Sequence, residues 1–233
     1  DKQSVNAASA PCAMTAAEFR EVVLTINQGV ATLRLGRADE SMVTLTAARI
    51  DEIDGAIAEV AATPDLSGLI ITGPGPGMFC AGADVNLIRD ITDAEDGKAA
   101  AVRGRSVFAK LRDLKVPVVA AIEGPCLGGG LELALFCDVR VASDAKPTQI
   151  GLPEVKLGIV PGFGGTQNLT RLVGLPKALE LILAGKLLRG TQALRARIID
   201  RLVPATKLLT AANQEIAKLT KKNKKSKTRK LHG

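Results

Sequence analysis

The chain has 233 residues, 46% of them hydrophobic, which is enough for one large domain or two small ones and excludes disorder over most of its length. With no Trp, no Tyr and five Phe it is poorly equipped to stack nucleobases, and no apolar run reaches the roughly 18 residues of a membrane span. The net charge of +7 lies in residues 221–233, which carry seven Lys/Arg and no acid and so leave 24 basic against 24 acidic residues over 1–220.

The chain starts at Asp1 rather than Met, as a processed chain or a fragment does, and residues 1–14 read as a small, polar N-terminal extension. REVVLTI (20–26) and VATLRL (30–35) are β-like runs around Gly29, most simply a hairpin. Leu45, Ile50, Ile53, Ile57 and Val60 mark the apolar face of a helix over 45–62, which Pro64 stops. A short buried strand follows at 69–72. GPGPGMFCAGAD (73–84) then holds too many glycines and prolines for regular structure, and Asp84 reads as the cap of a helix near 84–90. Helical spacing returns over 98–114.

Residues 116–122 are almost wholly apolar, as in a strand buried on both faces. That strand feeds GPCLGGG (124–130) and then LELALF, so strand, glycine turn and helix follow one another. A helix N-terminus presents unpaired N–H groups and the positive end of the helix dipole, a setting for a phosphate, a carbonyl oxygen or an oxyanion. Glu132 lies one turn in. By itself it is either a first-turn acid that complements the dipole or a catalytic carboxylate. A short strand at 139–142 precedes IGLPEVKLGIVPGFGGTQ (150–167), which carries Glu154; in isolation, Glu154 reads as a surface loop acid. Helices follow at 165–173, with Thr166 as cap, at 176–184, and at 191–199, capped by Thr191. Leu202 and Val203 form a last strand, and a helix over 206–219 leads to a solvated, disordered basic tail at 220–233.

Cys12, Cys80, Cys126 and Cys137 show no CxxC spacing, and the one histidine, His232, lies in the tail. This argues against a Cys/His zinc site and against a triad with a His base in the body. The cysteines read as reduced and mostly buried. No GxxxxGK[ST] motif occurs, and no clean GxGxxG opens a helix.

MFCAGADV (78–85), AAIEGPCLGGGLELALFCD (120–138) and GLPEVKLGIVPGFGGTQ (151–167) together resemble the enoyl-CoA hydratase/isomerase (crotonase) family, in order and in spacing, over about residues 15–205. The likeness is greatest to the hydratase/isomerase part of multifunctional fatty-acid oxidation subunits. It implies an α/β fold, a spiral of ββα units with two roughly perpendicular sheets surrounded by helices, over 15–219. It implies a CoA thioester substrate, no cofactor and no metal. By residue match, the N–H groups of Ala83 and Gly129 form the oxyanion hole. Glu132 activates water, and Glu154 exchanges a proton at C2. The implied activity is hydration of trans-2-enoyl-CoA to 3-hydroxyacyl-CoA in β-oxidation. The implied partners are a 3-hydroxyacyl-CoA dehydrogenase domain, a thiolase, or further copies of the chain. The implied location is intracellular, cytoplasmic in a bacterium and mitochondrial or peroxisomal in a eukaryote.

Some positions depart from that pattern. Glu123 replaces an Asn or His and reads as a surface acid or as a third carboxylate at the pocket mouth. Asn168 replaces a common Arg. Two other functions stay open: Δ3–Δ2 enoyl-CoA isomerisation, which needs only one acid/base, and RNA binding through the basic tail, which the lack of aromatics disfavours.

Overall fold

The computed structural model describes residues 21–231, with side chains described except at 86, 87 and 223–231. The N-terminal extension, Cys12 and His232 lie outside the described residues. The hairpin forms as expected, from β1 (Val22–Asn27) and β2 (Val30–Leu35), paired antiparallel from Val22–Leu35 to Asn27–Val30. Gln28 and Gly29 both have positive φ (49° and 76°), the two-residue turn whose twist matches that of its strands. Helix α1 (Ala47–Ala62) is capped by the Thr46 side chain, which accepts from the Arg49 N–H. Next come β3 (Gly68–Thr72), α2 (Val85–Arg89), α3 (Ala94–Ala109) and β4 (Val118–Ile122).

A strand not foreseen in the sequence, β5 (Pro125–Leu127), follows the Gly124 turn and precedes α4 (Gly129–Ala134). The chain continues through β6 (Val139–Ser143) and β7 (Gln149–Gly151) to a 3₁₀ turn at Glu154–Leu157. Then come α5 (Gly165–Val173), α6 (Leu175–Ala184), β8 (Leu188–Arg189), α7 (Gly190–Arg195) and β9 (Arg201–Val203). Two expected caps are replaced. Gly164 in the left-handed region starts α5 in place of Thr166, and the Gln192 side chain accepts from the Arg189 N–H at the start of α7, with Thr191 already inside that helix. Helix α8 (Leu208–Leu231) extends past the end expected at 219. It contains no Gly or Pro, and lysine is a good helix former, so nothing local stops it at 219.

The described residues form two sheets. The larger has the order β1-β2-β3-β4-β6-β9 and is parallel from β2 onward; the smaller has the order β5-β7-β8. Strands β3 and β4 are buried on both faces. Leu69, Ile71, Ala120 and Ile122 join the main core with α1, α3 and α4, while Ile70, Val119, Ala121 and Val141 meet Leu208, Ala211, Ala212 and Ile216 of α8. A Cβ on Gly68 would stand 2.6 Å from the Ile216 side chain, so the glycine lets α8 lie directly on the sheet. Cys80, Cys126 and Cys137 are buried free thiols, and burial pushes the Cys80 thiol up to about 11. No helix among the described residues is long and apolar enough to cross a membrane.

Candidate active site

The ends of β4 and β5 and the loop 73–84 meet at one place. Cys80 and Cys126 form a parallel bridge: the Cys80 N–H donates to the Pro125 carbonyl, and the Leu127 N–H donates to the Cys80 carbonyl. Three residues on, Ala83 bridges Leu45. The Leu45 N–H donates to the Gly82 carbonyl and the Asp84 N–H to the Leu45 carbonyl. In a parallel bridge of this sense the N–H of Ala83 itself points away from Leu45, and among the described residues it meets no acceptor. Gly82 lies over the turn ahead of α4, with φ +101°; a Cβ there would stand 2.9 Å from the Leu127 carbonyl oxygen and 3.4 Å from the Gly129 nitrogen. Gly129 is the first residue of α4, where an N–H has no acceptor within the helix. Two free backbone donors, Ala83 and Gly129, therefore lie on adjacent strands of backbone.

Gly129 and Gly130 lie in the first turn of α4, although glycine is a poor helix former. Close approach explains them. A Cβ on Gly130 would stand 2.3 Å from the Cys80 carbonyl oxygen, and one on Gly129 would stand 2.8 Å from Leu45. The far end of this short helix is held by Arg140, 5% exposed, whose guanidinium donates to the Cys137 and Ile198 carbonyls and pairs with Asp200 at 2.8 Å.

Both glutamates named from the sequence are buried, Glu132 at 2% exposure and Glu154 at 8%. Their surroundings differ. The Glu132 Oε1 accepts two backbone N–H groups, from Phe163 at 2.8 Å and Gly165 at 2.7 Å, so the glycine-rich loop after Pro161 wraps its carboxylate. Neither oxygen of Glu154 has any hydrogen-bond partner among the described residues. Glu154 opens the 3₁₀ turn that follows β7, and β7 is tied to the glycine turn by the Gly128 N–H donating to the Gly151 carbonyl at 3.0 Å. As a result the Glu154 Oε1 lies against the Cα of Gly128, where a Cβ would stand only 3.2 Å from it. Burial pushes both carboxyls up from 4.5 to about 7, and the charge of Glu154 adds to the rise at Glu132. Hydrogen bonds from Gly165 and Phe163 pull Glu132 the other way. A buried carboxyl with no donor favours its neutral form, and one with two N–H donors favours its anion. The pair is thus built to take up and release protons near neutral pH.

Glu123 is neither a free surface acid nor part of the pair. It is half-buried, and its Oε1 accepts from the Gly77 N–H at 3.1 Å, fastening the loop 73–79 beside the Gly124 turn. The same turn is held from the other side, where the Gly124 N–H donates to the Thr148 hydroxyl. These contacts, and the Phe163 and Gly165 donors, had no signal in the sequence beyond the density of glycine. No cluster of three or more His, Cys, Asp or Glu side chains able to hold a metal ion occurs among the described residues.

The chain matches the enoyl-CoA hydratase/isomerase family over residues 25–231. It is 46% identical over 203 residues to the fatty acid oxidation complex subunit alpha of Vibrio campbellii, covering 87% of this chain and 29% of that protein. It is 44% identical over 199 residues to the subunit of the same name from Shewanella amazonensis, covering 85% of this chain and 28% of that one. The chain therefore spans under a third of the length of these relatives. Among solved structures it resembles an enoyl-CoA hydratase from Bacillus anthracis, with 32% identity and a TM-score of 0.78 over 85% of this chain and 76% of that one. It also resembles one from Geobacillus kaustophilus, with 29% identity and a TM-score of 0.80 over 86% and 75%. The fold is the crotonase-like α/β fold expected from the sequence, and the chain belongs to the enoyl-CoA hydratase/isomerase family, a family of crotonase-type enzymes.

Proposed function

We propose that the chain hydrates trans-2-enoyl-CoA thioesters to 3-hydroxyacyl-CoA, without a cofactor. The observation that carries this is the pairing of a buried carboxyl lacking any partner, Glu154, with a buried carboxylate held by two N–H groups, Glu132, beside two unused backbone donors. The thioester oxygen binds between the Ala83 and Gly129 N–H groups. As the water oxygen bonds to C3, its proton passes to Glu132, and the C2–C3 π electrons move onto the thioester as an enolate. The two N–H groups stabilise that charge, and each such donor contributes about 3 to 4 kcal/mol to lowering the barrier. Glu154, protonated at the start, delivers its proton to C2. The pair regains its starting state by exchange with solvent. Because the active form carries a single proton, activity is expected to peak near pH 7, where both carboxyls titrate.

The names of the relatives support a fatty-acyl substrate. The multifunctional resemblance supports work alongside a 3-hydroxyacyl-CoA dehydrogenase domain. The test is the loss of conjugated-enoyl absorbance with crotonyl-CoA and longer substrates. Absence of that loss in the wild type, with Glu132→Gln indistinguishable from it, removes the hydratase reading. A 3-enoyl-CoA still isomerised by Glu132→Gln would assign the chain to isomerisation by Glu154 alone.

A further inference from the structure

A cleft of about 260 Å³ opens between the C-terminal end of α3 and α5. Its charge is of one sign. Arg105, Arg112 and Arg171 line it, and no carboxylate does. Among the described residues none of these three arginines forms an ion pair. Arg112 is fixed in place: it donates to the Asn168 Oδ1 at 2.8 Å, and its guanidinium stacks 4.5 Å above the Phe136 ring. Asn168 also lines the cleft and is only 5% exposed. Its oxygen is used by Arg112, while its side-chain NH₂ donates to no acceptor among the described residues. That NH₂ group keeps contact with solvent and is free to donate to an acceptor bound in the cleft. Asn168 also belongs to the first turn of α5, whose N-terminal end adds positive potential.

Three guanidinium groups with no ion-pair partner among the described residues, the free Asn168 NH₂ and a helix N-terminus all present donors to the cleft. We propose that this cleft binds a phosphate group, either as inorganic phosphate or as a small phosphomonoester. Guanidinium forks match phosphate oxygens two at a time, and the cleft has room for a group of that size. Neither Glu132 nor Glu154 lines the cleft, although Gly164 in its lining lies between the two residues that donate to Glu132. The cleft is also particular to this sequence, because an arginine at position 168 would replace the amide with a long side chain and a fourth charge.

Isothermal titration calorimetry of the whole chain tests this, with inorganic phosphate in one arm and adenosine 3′-phosphate in the other, each against chloride at matched ionic strength. The expected result is saturable binding of at least one, weakened tenfold or more in Arg105→Gln/Arg171→Gln and in Asn168→Leu. The exposed cation Lys207, far from the cleft in sequence, serves as control: Lys207→Gln should bind as the wild type does. Tighter binding in the first arm identifies free phosphate as the ligand, and tighter binding in the second identifies a nucleoside-borne one. Heats no larger than those of chloride, or affinities equal in the wild type and in both cleft variants, overturn the proposal. Both altered arginines are exposed, so loss of folding is not expected to mask the result.

Discussion

Glu132→Gln exchanges one oxygen for an NH₂ and leaves an Oε1 to accept from Phe163 and Gly165. The native carboxyl is pushed from 4.5 to about 7, by burial first and by the charge of Glu154 after it. In the unfolded chain it titrates near its ordinary value. A carboxyl whose folded pKa is raised contributes in full below the unfolded value, and that contribution is lost as pH rises through the folded value. At about 1.4 kcal/mol per pH unit, the native state loses roughly 3 kcal/mol between pH 4.5 and 7 on account of this one group. Glutamine has nothing to ionise. The variant should lie within about 1 kcal/mol of the wild type in stability at pH 5 and exceed it by up to roughly 3 kcal/mol at pH 8, while turnover falls about 10²- to 10⁴-fold. Urea unfolding at pH 5, 6.5 and 8 reads the first effect and crotonyl-CoA hydration the second. The variant should keep part of the pH slope, because burial raises Glu154 to about 7 as well. Identical pH slopes in wild type and variant would refute the link between the burial of Glu132 and its titration.

Three other substitutions separate the parts of the site. Glu154→Gln leaves the two donors and Glu132 untouched, and should lower hydration about 10²- to 10⁴-fold while abolishing solvent deuterium exchange at C2, followed by NMR. Gly82→Ala puts a side chain 2.9 Å from the Leu127 carbonyl at a φ of +101°, so the loop must shift and carry the Ala83 N–H with it. The expected loss is up to about 10³-fold in kcat with a folded protein by circular dichroism. Glu123→Ala removes the tie to Gly77 and should cost roughly 1 kcal/mol in chemical denaturation, with Glu123→Gln restoring most of it, since its amide oxygen still accepts.

The stretches with a single strong local signal were legible from the sequence alone. The continuous apolar run of β4 can only be a strand buried on both faces, and the Gly29 hairpin, the face of α1 and the glycine break before α4 follow from turn chemistry and periodicity. The motif match named Ala83, Gly129, Glu132 and Glu154, and the fold brings all four to one place. The short strands β5, β7 and β8 were not legible, because two or three residues carry no periodicity and exist only through their partners. The far end of α8 was not legible either, because no Gly or Pro within it marks a stop.

What the tertiary structure alone decided is the difference between two identical side chains. Glu132 and Glu154 are the same residue in similar glycine-rich surroundings along the chain. Only the folded chain brings the Phe163 and Gly165 N–H groups to one and leaves the other buried without a partner. Protonation follows from desolvation and from donors supplied across 31 and 33 residues of intervening chain, and no local pattern encodes such distances. In the same way Glu123, an unassigned acid in the sequence, becomes a fastening for the loop that carries Ala83 once Gly77, 46 residues away, is placed beside it.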